Sequence, residues 1–312
     1  MNFIKKLPYP ISGTALGFAV LGNLLTTYHP LFKPICGIIS AIIIFLLLIK
    51  VITMAITFKD AMARPLVASS FATFPMAIMV LSTYIPKGTL AKTVWATGFA
   101  LHVLLILWFS WRYVVKNFTV ESIFPSWFIV YVGLATASVV APYHQLTVVG
   151  MGAFWFAFTT YLILLPLVSW RLIKLGPLPL PAKPTLMIYA APASLLLAGY
   201  MSSANSKSLP MVYFILTLSL LFYALSLLKL PTLLSLPFAP SYSSFTFPFV
   251  ISSTAARSTY LFLSDTSQGP QWLSWIVKMQ PWIALALCTY TLIRFAQFQF
   301  TPLPMAKTAT VK

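Results

Sequence analysis

Residues 42–48 read Ile-Ile-Ile-Phe-Leu-Leu-Leu, in the middle of an apolar stretch that extends from about residue 34 to residue 58. A helix that crosses about 30 Å of hydrocarbon needs about 20 mostly apolar residues. The stretch is long enough for such a helix and too long for a strand of a membrane barrel, which has about 9–11 residues. Because unpaired backbone groups cannot face lipid, the stretch predicts a membrane-spanning helix.

The composition of the whole chain extends this prediction. Of its 312 residues, 60% are hydrophobic and only 7% are charged, whereas a soluble domain has about 25% charged residues. The 20 lysines and arginines outnumber 3 acids, which gives a net charge of +17. Nucleic-acid-binding proteins also carry such charges, but on a basic face of a soluble fold. Here the cations stand singly between apolar runs, so we predict a multi-spanning membrane protein and no nucleic-acid partner.

Nine further apolar stretches resemble the first. Together they predict ten spans, at about residues 10–28, 34–58, 65–85, 91–115, 123–141, 146–173, 184–203, 209–229, 240–263 and 272–298. Little chain remains between them. Residues 1–312 are therefore predicted to form a single all-α transmembrane domain.

The basic residues predict the orientation of these spans. If the N-terminus is cytoplasmic, fourteen cations fall on the cytoplasmic side, five fall outside, and Arg257 lies within a span. Lysine and arginine concentrate in cytoplasmic loops, so both termini are predicted to be cytoplasmic. Because the chain has no long tails of the eukaryotic kind, we expect a bacterial inner membrane.

A repeat of nearly 60 residues runs through the chain. A proline opens every odd-numbered span, at intervals of 55 to 60 residues: Pro10, Pro65, Pro125, Pro184 and Pro240. Ser110-Trp111-Arg112 recurs 59 residues later as Ser169-Trp170-Arg171. A fixed period indicates one supersecondary unit repeated in tandem. We predict five helical hairpins, at about residues 8–60, 61–118, 119–176, 177–232 and 233–300.

The two helices of each hairpin differ in character. The even-numbered spans are bulky and apolar, like residues 42–48. The odd-numbered spans carry small and hydroxyl residues and interior prolines, among them Gly13, Pro75 and Pro248. Small and hydroxyl residues allow close packing or line a wet cavity, and an interior proline kinks a helix. We predict five kinked inner helices around a central pore or core, and five outer helices that face membrane lipid.

Acidic residues are missing from the predicted spans. Asp60, Glu121 and Asp265 all fall in or beside loops. Cation pathways and proton relays place ionisable side chains within the membrane, so the pattern argues against a cation channel or a carboxylate-driven pump and favours a path for anions. The sequence shows no Ser/His/Asp set, phosphate-binding loop or metal-ligand cluster, so we predict neither an enzyme nor a cofactor or metal site.

The ninth span holds most of the candidate pore residues. Successive residues of a helix turn by about 100°, which puts Phe247 on one face with Ser243, Thr254 and Ser258. Arg257 flanks this face, about 15 Å from Phe247 along the helix. A hydroxylated stripe with one phenylalanine is compatible with a wet path and an aromatic plug, and Arg257 would attract anions.

A structural role is the alternative for each of these side chains. Phe247 could be one packing residue among 25 phenylalanines, and Arg257 could be a snorkelling or hydrogen-bonded structural arginine. Phe74-Pro75 of the third span resembles Phe247-Pro248 of the ninth, so both pairs are counted among the pore candidates.

Three motifs make the chain similar to a known family. They are Pro10-Ile11-Ser12-Gly13 with Gly22-Asn23-Leu24-Leu25, Phe124-Pro125-Ser126-Trp127-Phe128 with Val132-Gly133, and Thr246-Phe247-Pro248-Phe249-Val250-Ile251-Ser252. With the repeat, they resemble the tellurite-resistance/dicarboxylate transporter family, which includes bacterial TehA, fungal malate and sulfite transporters and the slow-type anion channels of plant guard cells. The resemblance covers essentially the whole chain.

The resemblance implies a homotrimer in which each protomer encloses a pore within five inner helices. It implies transport of chloride, nitrate, sulfite or C4-dicarboxylates such as malate. In the family a phenylalanine of the ninth helix occludes the pore, and Phe247, followed by Pro248, stands at the matching position. Gly13 matches a glycine of the first helix near the pore.

Three functions remain open at this point. The first is a channel or facilitator for small anions with Phe247 as its gate. The second is a proton-coupled exporter or importer of C4-dicarboxylates, sulfite or tellurite-related anions, in which a proton could travel with the carboxyl group of the substrate. The third is a non-conducting structural or enzymatic membrane protein, which a solid axis would indicate.

Overall fold

The computed structural model describes residues 2–265 and 270–301, and this part of the chain contains helices and connections without strands. Its long helices are α1 (Tyr9–Leu25), α2 (Phe32–Thr53), α3 (Pro65–Tyr84), α4 (Thr89–Lys116), α5 (Trp127–His144), α6 (Thr147–Leu175), α7 (Leu180–Ser203), α8 (Leu209–Leu234), α9 (Phe247–Asp265) and α10 (Gln271–Phe300). Short helices precede α1 (Asn2–Lys6) and α3 (Ala55–Met62). Lys307 and Lys312, which we counted as cytoplasmic, lie outside the described residues.

Among the described residues, eight helices are long and apolar enough to cross a membrane, namely α2 to α8 and α10. Helices also stand at the other two predicted positions. There, α1 is short, and α9 is less apolar because it carries Ser252, Ser253, Thr254 and Arg257. The chain is therefore an all-helical integral membrane protein.

The odd-numbered helices form a closed ring. α1 contacts α3, α3 contacts α5, α5 contacts α7, α7 contacts α9, and α9 contacts α1 again. Each even-numbered helix packs against two neighbours of this ring: α2 against α1 and α3, α4 against α3 and α5, α6 against α5 and α7, α8 against α7 and α9, and α10 against α9 and α1.

Burial separates the two sets of helices in the way the residue types predict. In the most apolar windows of α3, α5 and α7, 72 to 83% of residues are buried, against 28 to 39% in α2, α4, α6, α8 and α10. Large apolar side chains such as Ile38, Ile42 and Phe45 of α2 are exposed. An exposed apolar surface of this extent is stable only in contact with lipid or another apolar surface.

The repeat is also visible in individual contacts. The Ser110 hydroxyl lies 2.9 Å from the Tyr131 hydroxyl, joining α4 to α5. The Ser169 hydroxyl makes the equivalent contact with Tyr189, at 3.2 Å, between α6 and α7. The two serines belong to the repeated Ser-Trp-Arg tripeptide, so the repeat in the sequence corresponds to a repeated contact between an even-numbered helix and the odd-numbered helix that follows it.

Several inner helices are interrupted, and the ninth departs most from its predicted form. The predicted span 240–263 is not one helix, because a 3-10 turn covers Pro240–Phe245 and α9 begins only at Phe247. Thr246 separates the two segments with φ −99° and ψ −85°. α5 contains a 3-10 turn at Val132–Leu134. These breaks set which side chains face the axis of the ring.

Candidate functional site on the axis of the helix ring

A small cavity lies on the axis and is lined by every odd-numbered helix. Gly13 of α1, Thr73 of α3, Val132 of α5, Pro192 of α7 and Phe247 of α9 all contribute to its wall. Its volume is about 30 Å³, whereas a single water needs about 10–15 Å³ on the same measure. The axis is therefore hollow here, with room for about two waters.

Phe247 reaches this cavity because of the break that precedes α9. The Thr246 hydroxyl lies 2.7 Å from the Ser243 carbonyl oxygen and 3.0 Å from that of Gly13. These contacts hold the break against α1, so that Phe247 becomes the first residue of α9 and lines the cavity, 6% exposed. Pro248 also lines the cavity.

Glycines let α1 approach this break closely. A Cβ atom at Gly17 would lie 2.7 Å from the Thr246 Cβ atom, and one at Gly13 would lie 3.1 Å from the Ser243 Cβ atom. Contacts under 3.0 Å require a shift of the neighbouring atoms. The Gly13-x-x-x-Gly17 pattern therefore serves helix packing, and Gly13 also lines the cavity beside Ser243.

A wider vestibule follows toward the C-terminal ends of the odd-numbered helices. Its volume is about 320 Å³, and α1, α3, α5 and α9 line it. Thr254, Arg257 and Ser258 of α9 line its wall. At about 1.5 Å per residue, Thr254 lies about 10 Å beyond Phe247 along the helix. A nitrogen of the Arg257 guanidinium donates to the Thr27 hydroxyl at 2.9 Å.

The residues predicted to share one face are thus divided between two spaces. Ser243, Phe247 and Pro248 line the narrow cavity, whereas Thr254, Arg257 and Ser258 line the vestibule. The division follows from distance along the helix. Sequence reasoning missed the four other polar residues of the vestibule, Asn23, Thr27, Thr83 and Tyr143. The signal that could have found them is their shared position near the C-terminal ends of odd-numbered spans.

Phe74 and Pro75, which the sequence places among the pore candidates, do not line either of these two spaces. The Phe74 ring stacks on Phe71, with ring centroids 5.1 Å apart, and the Pro75 carbonyl faces Gly98 of α4. In α3 the axis is reached instead by Thr73. Both pairs follow a break in their helix, but Phe247 is the first residue of α9, whereas Phe74 is the second residue of the segment Thr73–Leu81.

The electrostatics of the axis favour negative charge. Asp60, Glu121 and Asp265 are all exposed, and in the described ranges no carboxylate lines the cavity or the vestibule. Arg257 supplies one positive charge, half-buried in the vestibule wall. In the same ranges no group of three His, Cys, Asp or Glu side chains could hold a metal ion.

Two histidines lie off the axis and contact neighbouring helices. His102 of α4 is buried, and its Nε2 atom lies 2.9 Å from the Val130 carbonyl oxygen of α5. His144 of α5 is also buried, and its Nε2 atom lies 2.8 Å from the Ser82 hydroxyl of α3. Neither histidine lines the cavity or the vestibule.

Comparison with known proteins identifies the family. The family model for SLAC1, described as a voltage-dependent anion channel, matches residues 7–298. An uncharacterized transporter of Methanocaldococcus jannaschii is 26% identical over 233 residues, which cover 66% of this chain and 65% of that protein, slightly less than two thirds of its length. Both matches indicate a channel or transporter rather than an enzyme. They agree with the resemblance seen in the motifs, and the chain belongs to the SLAC1 family of voltage-dependent anion channels.

Proposed function

We propose that the protein lets small anions cross the membrane along the axis of its helix ring, down their electrochemical gradient. One observation carries the proposal: the cavity at Phe247 and the vestibule at Arg257 follow one another along the inner helices, and no carboxylate of the described residues lines either. Chloride, nitrate, sulfite and C4-dicarboxylates such as malate are the candidate substrates.

Anion preference would arise from the chemistry of this lining. The hydroxyls of Ser244, Thr73 and Thr254 line the path. Those of Thr73 and Thr254 donate to the Ser70 and Val250 carbonyl oxygens in this structure, so each would have to rotate away from its carbonyl to donate its single proton to a partly dehydrated anion. Arg257 would raise the local concentration of anions in the vestibule, because a cleft with low-dielectric walls focuses the field of its charges. A cation would meet the same field as a barrier, and no carboxylate in these walls would lower it.

Phe247 is the proposed gate. Its ring is bulky and apolar, and hydrophobic constrictions close pores by excluding water. The cavity beside it, about 30 Å³, is too small for a hydrated anion to pass. Rotation of the Phe247 side chain away from the axis, or movement of α9 at Thr246, would widen the path.

The proposal includes the membrane arrangement predicted from the sequence. All ten helices would cross the membrane as five tandem hairpins, with both termini in the cytoplasm of a bacterial cell. At about 1.5 Å per residue, the 17 residues of α1 extend about 25 Å, which is less than the hydrocarbon thickness of about 30 Å. The neighbouring helices of the ring would therefore shield the ends of α1 from lipid. The exposed apolar faces of the outer helices would contact lipid and, in a homotrimer, the other protomers.

Ion substitution in planar bilayers tests the proposal. With chloride on both sides at unequal concentrations, the reversal potential should follow the chloride gradient. It should shift when nitrate, sulfite or malate replaces chloride on one side. A reversal potential that follows the cation gradient would contradict an anion path, and no current from folded protein would favour a non-conducting role.

A second candidate is a proton-coupled transporter. The relative from Methanocaldococcus jannaschii is called a transporter rather than a channel, and its name does not mention coupling. The missing intramembrane carboxylates speak for uncoupled flux, although a proton could cross with the carboxyl group of the substrate. Flux of labelled malate into liposomes distinguishes the two. Uncoupled transport depends on the malate gradient and the voltage, whereas coupled transport is driven uphill by a proton gradient alone.

A further inference from the structure

A third cavity lies away from the axis, beside the short helix Ala55–Met62. It has a volume of about 560 Å³, within the range of about 300–1,000 Å³ that ligand pockets occupy. Phe58 of the short helix and Leu104 and Trp108 of α4 form an apolar part of its wall. Leu104 and Trp108 are also exposed on the outer surface of α4, so the cavity opens toward the hydrocarbon of the membrane.

The same cavity has a charged margin. Lys59, Asp60 and Arg112 line it, and all three side chains are exposed. Two cations and one carboxylate give this margin a net positive charge. The apolar wall and the charged margin together place the cavity across the boundary between hydrocarbon and headgroups. An amphiphile with an anionic head would contact the apolar wall with its tail and the positive margin with its head.

Arg112 reaches this cavity through an unusual piece of helix. Residues Ser110–Lys116 at the end of α4 form a π-helix, a rare conformation that is frequent at functional sites. The Tyr113 hydroxyl in this segment donates to the Met62 carbonyl oxygen at 2.5 Å. This bond fixes the end of the short helix against α4 and so holds the two walls of the cavity together.

The internal repeat provides a comparison for Arg112. The tripeptide Ser169-Trp170-Arg171 of α6 lies in an α-helix, and Arg171 is only 5% exposed, with its guanidinium 5.8 Å from the centre of the Phe124 ring. Arg112 follows the same two residues, serine and tryptophan, but is exposed and lines the cavity. The arginine of the repeated tripeptide is thus exposed at the cavity where the helix is a π-helix, and buried where the helix is an α-helix.

We propose that this cavity binds an anionic phospholipid. The phosphate of the headgroup lies between Lys59 and Arg112, and the acyl chains follow Phe58, Leu104 and Trp108 into the membrane. Asp60 opposes the headgroup and limits the affinity. The ligand is a lipid rather than free phosphate because most of the wall is apolar and opens to hydrocarbon.

Native mass spectrometry of the delipidated full-length protein tests this site. The probes are phosphatidylglycerol, phosphatidylcholine with the same acyl chains, and inorganic phosphate. The first bound phosphatidylglycerol should bind more tightly than phosphatidylcholine. Lys59→Gln and Arg112→Gln should each weaken it about fivefold, the effect of one basic residue near a membrane surface. Lys116→Gln is the matched control, because Lys116 stacks over Trp111 and does not line the cavity.

Two further variants separate loss of the site from loss of folding. Asp60→Asn should strengthen phosphatidylglycerol binding about fivefold, an effect that a folding defect cannot produce. Ala63→Trp should weaken binding by filling the cavity while leaving its charge unchanged, since Ala63 is part of the wall.

Three results would overturn the proposal. Equal affinities for phosphatidylglycerol and phosphatidylcholine would show that the cavity binds lipids without selecting an anionic headgroup. Inorganic phosphate that binds with the same dependence on Lys59 and Arg112 would assign the site to a free anion. Unchanged or weaker binding in Asp60→Asn would show that the headgroup does not lie at this charged margin.

Discussion

The Thr246 hydroxyl lies 3.0 Å from the Gly13 carbonyl oxygen, across 233 residues of sequence. This contact joins the first inner helix to the break before the last one and thereby closes the ring. Phe247 follows Thr246 directly, and Gly13 lines the same cavity as Phe247. The contact that helps to close the ring therefore also lies beside the proposed gate.

Removing the Thr246 hydroxyl should destabilise the protein. Thr246→Val keeps the shape of the side chain but loses the contacts with Gly13 and Ser243, at a cost of about 1 kcal/mol. The midpoint of thermal unfolding in detergent should fall by a few degrees. Thr14→Val is the matched control, because the buried Thr14 hydroxyl has no hydrogen-bond partner among the described residues. Equal loss of stability in both variants would contradict this role of Thr246.

Adding a methyl group at Gly17 should be more damaging than adding one at Gly152. A Cβ atom at Gly17 would lie 2.7 Å from the Thr246 Cβ atom, whereas one at Gly152 meets nothing within 4 Å. Gly17→Ala should cost about 1–3 kcal/mol through overpacking. Gly152→Ala should be neutral or stabilising by up to about 1 kcal/mol, because alanine favours helices. Thermal unfolding of the two purified variants measures this difference. A Gly17→Ala variant as stable as the unchanged protein would contradict tight packing of α1 against Thr246.

Neutralising Arg257 should lower anion conductance, most strongly at low salt. The Debye length is about 10 Å at 0.1 M salt and about 3 Å at 1 M, so we expect a reduction of about threefold at 0.1 M that nearly disappears at 1 M. Single-channel conductance of Arg257→Gln in planar bilayers measures this effect.

Lys278→Gln serves as the control for Arg257→Gln. Lys278 of α10 stacks over the Trp275 ring, at 5.4 Å from its centre, and does not line the vestibule. The conductance of the Lys278→Gln variant should match that of the unchanged protein at both salt concentrations. If Arg257→Gln lowers the unfolding temperature and leaves conductance unaltered, the bond from Arg257 to Thr27 has a structural role only.

The order and character of the helices could be predicted from the sequence. A proline near the start of each odd-numbered span and the repeated Ser-Trp-Arg tripeptide define the hairpin period, and apolar composition distinguishes outer from inner helices. These are local properties of the chain. The contacts of Ser110 with Tyr131 and of Ser169 with Tyr189 show the same period in three dimensions.

The rotation of side chains and their distant partners could not be predicted in this way. Phe74 and Phe247 precede prolines in similar runs and both follow a break in their helix, yet only Phe247 lines the cavity. His144 finds its partner Ser82 62 residues earlier in the chain. The vestibule draws its residues from four helices, and no single helical pattern contains that set.

The central claim is that Phe247 closes an anion path, and a comparison of two phenylalanines tests it most directly. Phe247 and Phe74 each precede a proline and are 6% and 7% exposed, but only Phe247 lines the axial cavity. Anion currents of Phe247→Ala and Phe74→Ala should be recorded in planar bilayers under identical chloride gradients. Phe247→Ala should raise the chloride current by about tenfold or more, which requires a barrier lower by about 1.4 kcal/mol, and Phe74→Ala should leave it unchanged. An unchanged current in Phe247→Ala, or an equal rise in both variants, would contradict the gate.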